Sequence, residues 1–263
     1  MATKEQRVEL EIPVITTGTL TICIVGRQPF IANRISQKAR HELLAPRGRK
    51  NAAQKAASLK HDPYTEYRAS PYILPDGQPA LIGIPSSAFK GAMCTAALDL
   101  PNTKKAQIGR LVYVEGEYTP VYGKPYLHMA VVRSADINRT PDIRTRAILP
   151  RWACQVRISY VQPILTAQSV VNLLSAAGTT VGVGDWRPEK GKGNFGQFSV
   201  VSPDDPEFRD ILTENRDVQI AAMESPDAYD SESAEMLQFW TSEARARGFA
   251  IDNDEDDDEE AEA

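Results

Sequence analysis

Apolar and polar residues alternate through "RVELEIPVI", with Val8, Leu10 and Ile12 in step, and again through "GTLTICIVG", where Leu20, Ile22 and Ile24 share one face; both stretches predict β-strands. The period then dissolves from Phe30 to Ala69 into a basic insertion, "NRISQKARHELLAPRGRKNAAQKAASLKHDPYTEYRA", with helical character in its middle. "IPSSAFKGAMCTAALDL" predicts a helix: Ser86 and Ser87 after Pro85 offer N-cap chemistry, and Phe89, Ala92, Met93, Ala96, Ala97 and Leu100 fall on one face, with Lys90 and Gly91 on the solvent side. Strands are expected around "RLVYV" and "YLHMAVV", followed by an Arg-rich excursion, "RSADINRTPDIRTRAILPRW". In "CQVRISYV" the apolar Cys154, Val156, Ile158 and Tyr160 alternate with Gln155, Arg157 and Ser159, the pattern of a sheet with one open face.

A second helix is expected from a Thr166 N-cap to about Ala177, with Gly178 as its C′ residue. A glycine-rich loop follows, and "FGQFSVV" closes the core as a strand. Without the insertions, the order is strand, helix, strand, strand, helix, strand. That order predicts an α+β, ferredoxin-like (RRM-like) antiparallel sheet with two helices on one face. The expected organisation is a core of residues 1–202 with insertions at 30–70 and 133–151, an acidic extension at 203–251 with one short helix in "SAEMLQFWTSEARARG", and a tail at 252–263.

Charge divides the chain. Residues 1–201 hold 26 Lys and Arg against 14 Asp and Glu, whereas the remainder holds 4 against 21. The tail, "DNDEDDDEEAEA", has nine carboxylates and no apolar side chain larger than Ala, so it is expected to be disordered. It either aids solubility or mimics a polyanion and competes for the basic body. No window approaches the roughly 18 apolar residues of a membrane span, and the first residues lack the apolar core of a secretion signal, so a cytoplasmic protein without a membrane partner is expected. Cys23, Cys94 and Cys154 sit in apolar runs and read as buried thiols; with only three histidines, neither a metal site nor a cofactor is expected.

Within the loop "VGVGDWRPEKGKGNFGQFSVV", Gly191, Gly193 and Gly196 spell G-x-G-x-x-G, but the string follows a helix and opens a strand, the reverse of a dinucleotide site. A P-loop fails because Gly193, not Ser or Thr, follows Lys192. What the loop offers instead is glycine backbone open to close approach, the cations Arg187, Lys190 and Lys192, and the flat rings of Trp186 and Phe195, ingredients of single-strand nucleic-acid binding. Two more basic segments border the predicted sheet. One carries Arg133, Arg139, Arg144, Arg146 and Arg151 with Trp152 at its end; the other includes Arg47, Arg49 and Lys50. Arg157 adds a cation on the open face. Three basic segments around an open sheet make nucleic acid the leading ligand class.

"IPSSAFKGAM" resembles the helix-opening motif of backbone subunits of CRISPR effector complexes, and "VGVGDWRPEKGKGNFGQFSV" resembles the C-terminal glycine-rich loop of the same RAMP superfamily (repeat-associated mysterious proteins). This chain has Ser86 and Cys94 where the helix motif commonly has Gly and Arg. The resemblance implies a ferredoxin-like core that binds guide RNA and often polymerises along it, with Ser86, Ser87, Lys90, Arg187, Lys190 and Lys192 as backbone contacts. The acidic tail is instead similar to that of phage-type single-stranded-DNA-binding proteins, whose tails recruit protein partners, and a phage-encoded protein would act in its host's cytoplasm. The reading at this stage is a non-catalytic single-strand binder, RNA favoured, that assembles as a homo-oligomer or filament along the strand. A phage-type DNA-binding or recombination protein and an RNA-processing endoribonuclease using His41, His61 or Asp62 are its alternatives.

Overall fold

The computed structural model describes residues 14–35, 37–45, 59–133, 140–190 and 193–251. The first expected strand, at residues 8–12, and the acidic tail lie outside them.

The alternating stretch around Leu20 forms β1 (Thr16–Gly26), and "CQVRISYV" lies within β9 (Ala153–Gln162). The two pair antiparallel along almost their whole length, from Thr16 opposite Gln162 to Val25 opposite Ala153. On its other side β1 pairs with the closing strand β10 (Phe198–Val201). The far edge of β9 is shared: β5 (Val112–Val114) takes the Ile158–Tyr160 end, and β6 (Tyr118–Tyr122) takes the Ala153–Cys154 end. Beyond β6 the sheet continues through β4 (Ile82–Pro85) to β3 (Tyr72–Ile73).

Two helices cover one face, α3 (Ser86–Ala96) and α5 (Ala167–Thr180). Phe89, Ala92, Met93 and Ala96 of the first and Val170, Leu173, Leu174 and Ala177 of the second share one core with Ile22, Ile24, Val156 and Ile158. Alanines at the contact let helix and sheet approach closely. Thr166 caps α5 by accepting from the Ser169 N–H at 3.1 Å. Gly178, expected just past that helix, lies inside it: an added Cβ would sit 2.3 Å from the Phe198 carbonyl oxygen, so the glycine is a close-packing residue against β10.

Ser86 and Ser87 do not cap α3, which has Pro85 at its N-cap position and no side-chain cap bond. Ser86 is buried, and its hydroxyl hydrogen-bonds to the Thr119 hydroxyl (3.0 Å) and donates to the Glu115 carbonyl (3.3 Å), fastening the helix start to the neighbouring strands.

The Arg-rich excursion is not a loop. It is largely β8 (Pro141–Leu149), which pairs in register with β7 (Tyr126–Arg133) and then with β2 (Phe30–Ile31), forming a separate three-stranded arm. Its inner face carries Leu127, Met129 and Ala147 into the core. The first insertion supplies α1 (Gln37–Leu44) and α2 (Pro63–Ala69); α4 (Lys105–Leu111) precedes β5. Through α2, Ser70 Oγ accepts from the Ala147 N–H at 2.8 Å, so the insertion braces the arm.

Three helices, rather than one, follow β10: α6 (Pro206–Ile211), α7 (Arg216–Glu224) and α8 (Ser231–Ala246). Their acidic or amide N-caps, Asp205, Asn215 and Asp230, accept from the Phe208, Asp217 and Ser233 N–H groups. The sheet face opposite α3 and α5 is therefore only partly open: Phe208 and Ile211 of α6 cover Cys23, Val25 and Ala153. Gln219 of α7 is fully buried and saturated, accepting from the Leu81 and Ile82 N–H groups and donating to the Val121 and Gly123 carbonyls at 2.8–3.1 Å. No helix among the described residues is long and apolar enough to cross a membrane.

Candidate nucleic-acid interface

The register of the arm decides which cations act together. His128 faces Arg146 and Ala130 faces Arg144, so both arginines stand on the outer face. That face and the glycine-rich loop enclose a groove of about 490 Å³ lined by Arg133, Arg144, Arg146, His128, Asp185 and Trp186 among others. Arg146 is anchored: it pairs with Asp185 of the loop at 2.6 Å and donates to the Ala32 carbonyl at 3.1 Å. Burial pulls its pKa down, and the Arg144 charge beside it acts in the same direction. Arg133 and Arg144 are exposed and have no acidic partner among the described residues. Like charges crowded in a groove cost free energy in the empty protein, and an anionic ligand removes that cost.

The loop presents Trp186 to this groove. Its ring is 48% exposed and stacked on Phe195, with centroids 6.3 Å apart and planes 22° apart. Trp186 adopts φ +49°, a left-handed conformation rare for a bulky residue. Gly193 makes room for it, because a Cβ there would lie 1.7 Å from the Trp186 carbonyl oxygen. Gly196 likewise has no room for a Cβ, which would meet the Val183 carbonyl oxygen at 1.7 Å. These glycines let the loop close on itself and aim its tryptophan; close approach to a ligand, the sequence-based expectation, is not what requires them.

Arg187 serves the same closure, donating to both the Gly184 carbonyl and the Glu189 carboxylate at 2.6–2.9 Å. On its other flank the loop borders a second groove, of about 400 Å³, with Ser87, Gly91, Lys105 and Tyr72. Ser87 is exposed there, whereas Lys90 lies over the Tyr113 ring at 4.4 Å.

Other expected contacts are placed elsewhere. Trp152 is fully buried, packs against Phe30 and Phe198, and donates its indole N–H to the Gln28 carbonyl at 2.8 Å, so it is a core residue and not a base-stacking one. Arg151 points toward the C-terminal helices and pairs with Asp210 (2.6 Å) and Glu214 (3.5 Å). Arg157 stands on the polar sheet face, paired with Glu115 at 2.8 Å. Arg47, Arg49, Lys50, Arg139 and Lys192, with the side chain of Lys190, lie outside the described residues.

The residues weighed for catalysis do not assemble. His41 is exposed on α1. Asp62 caps α2 through the Thr65 N–H and hydroxyl. His61 is held on both ring nitrogens, by Glu66 (2.8 Å) and Asp142 (3.0 Å), tying α2 to the arm. Lys60 and His61 keep the Asp142 carboxyl below the usual carboxylate range.

His128 lines the groove, where the alternation of "YLHMAVV" sets it opposite the apolar face of Leu127 and Met129. Burial holds its pKa below the ordinary 6.5, and its buried Nδ1 has no hydrogen-bond partner. Below that value the unfolded chain takes the proton before the folded one, so folding stability falls with pH. His128→Phe is expected to flatten the loss of stability between about pH 7 and about pH 5, measured by urea unfolding.

No family profile matches the chain, and no curated protein does. Among solved structures it is similar to the type III-B Cmr-beta complex bound to cognate target RNA, at 13% identity over 71% of this chain and 59% of that one, with a TM-score of 0.39. It is also similar to Cmr6 from Pyrococcus furiosus, at 10% identity over 71% of this chain and 98% of that one, with a TM-score of 0.37. These likenesses are distant, and this chain's own residues carry the functional reading.

Proposed function

We propose that this protein binds single-stranded nucleic acid, RNA in preference to DNA, in the groove between the arm and the glycine-rich loop, and performs no chemistry on it. One observation carries the reading: two arginines without described acidic partners, Arg133 and Arg144, share that groove with a partly exposed tryptophan stacked on Phe195. Arginines meet phosphates without regard to sequence, and a ring backed by a second ring offers a platform for a base. A paired duplex keeps its bases stacked inward, so the tryptophan favours single strands.

The fold supports the same reading. β10, β1, β9 and β5 lie side by side in that order, which supports reading them as the fourth, first, third and second strands of a ferredoxin-like core with α3 and α5 as its two crossover helices. In this proposal the β7–β8 hairpin of the arm is an insertion between the second and third core strands, and the chain is a RAMP-type subunit whose copies gather on one strand. The acidic tail is then a competitor for the groove or a handle for a protein partner.

Trp186→Ala is expected to weaken binding of a short single-stranded RNA by about 1–3 kcal/mol, with little change in thermal stability. Fluorescence anisotropy of a labelled strand measures the first and calorimetry the second. Unchanged affinity would remove the tryptophan from the interface.

A further inference from the structure

His128 stands between two sets of opposite charge. Across the arm it faces Arg146, with Arg144 diagonally beside it on the same outer face. On its other side the chain leading into α8 runs along β7: the Leu127 N–H donates to the Asp227 carbonyl at 2.8 Å, and the Tyr229 N–H to the Leu127 carbonyl at 2.9 Å. That pairing sets the Tyr229 ring edge-on to the imidazole, with centroids 5.5 Å apart, and brings the Asp230 carboxylate to 3.8 Å from His128 Nδ1. Glu232, in the first turn of α8, adds a second negative charge that favours the charged ring.

The other charged groups on the elements around the ring are matched. Asp185 of the loop pairs with Arg146 at 2.6 Å, and His61 of the segment entering α2 is held by Glu66 and Asp142. His128 is not matched: it lines the groove with its side chain 15% exposed, and its buried Nδ1 has no hydrogen-bond partner. Asp230 lies about 1 Å beyond hydrogen-bond distance from that nitrogen. A neutral imidazole has one N–H, whereas the imidazolium donates from both nitrogens. In the empty groove burial opposes the charged ring. An anionic strand held by Arg133 and Arg144 adds negative charge to the same groove and offsets that opposition.

We infer, on the reading that this groove holds a strand, that His128 is a proton-linked contact for it: as phosphate enters, the imidazole takes up a proton from solvent, turns Nδ1–H to Asp230 and adds its positive charge to the arginines. Linkage fixes the sign. Affinity is level at high pH, rises as pH falls through the interval in which the bound ring is protonated and the free one is not, and levels again once both are protonated. The arginines and phosphodiesters keep their charges throughout, and His128 is the described groove residue whose type titrates between about pH 5.5 and about pH 7.5.

The test measures binding of a labelled uridine strand, whose bases do not titrate in this range, to nucleic-acid-free full chain at constant ionic strength. Affinity is expected to be about 5- to 10-fold higher at about pH 5.5 than at about pH 7.5. His128→Gln should bind within a factor of about 2 of the unsubstituted chain at the higher pH and lose the pH response, while His41→Gln, on the exposed part of α1, keeps it. Calorimetry of the unsubstituted chain in two buffers of different ionisation enthalpy reads the same linkage without a variant, with about half a proton taken up per bound site near pH 6. Affinity that does not respond to pH, a response that His128→Gln retains, or binding without proton uptake overturns the inference and leaves the arginine groove standing. Absence of strand binding at every pH would instead overturn the groove, and this inference with it.

Discussion

Replacing Arg133 and Arg144 together with alanine lowers the affinity for single-stranded RNA on the order of 100-fold at moderate salt, taking about 1.4 kcal/mol for each charge-assisted phosphate contact. The salt dependence becomes shallower by about 1.4 in logarithmic slope, since each lost phosphate contact on a single strand removes about 0.7. Stability does not fall, because neither guanidinium has a described acidic partner to lose and removing one of two adjacent charges relieves Arg146. Arg151→Ala is the matched control: its guanidinium lies against Asp210 of α6 and Glu214 of the turn after it, away from the groove, and its loss leaves affinity within a factor of about 2. Equal losses from both variants would mean that the protein attracts strands by overall charge and not through the groove.

Trp152→Ala costs about 3–5 kcal/mol of folding stability, read from urea or thermal unfolding. The indole fills the space between Phe30 and Phe198, and its N–H satisfies the Gln28 carbonyl, so truncation leaves both a cavity and an unpaired acceptor. Gly26 is shaped to the same ring: a Cβ there would lie 2.0 Å from the Trp152 indole nitrogen. Trp152→Phe restores part of the volume and recovers part of the loss. The contrast with Trp186 separates two tryptophans that look alike in sequence, each beside arginine and each near a glycine-rich or basic segment.

That contrast marks where sequence reading stops. Alternation located β1 and β9, and periodicity located α3 and α5, because one-sided burial imposes periods of 2 and 3.6 on the side chains. Capping at Thr166 was legible because it is a local hydrogen bond; Ser86 was not, since its hydroxyl is claimed by Thr119, 33 residues away. In the arm, β7 is legible by alternation but β8 is not, because its outer face is arginine-rich and its register is set by pairing with β7. Arg151, Arg157 and Arg187 are as basic in sequence as Arg144. What distinguishes them is the carboxylate each meets after folding, Asp210, Glu115 or Glu189, and in two of the three cases that partner is distant in the chain. The α6–α8 region reads as polar and acidic, yet apolar residues scattered through it, among them Phe208, Ile211 and Met223, dock on the rest of the molecule.

The most direct test of the groove is the affinity of the full chain for a labelled single-stranded RNA and its matched duplex across a salt series. With Arg133 and Arg144 as two phosphate contacts, the single strand should bind more tightly than the duplex and its log affinity should fall with log salt at a slope of about −1.4 or steeper. Affinity that does not change with salt, or a duplex bound as tightly as the single strand, would contradict a groove that holds phosphates by charge and bases on Trp186.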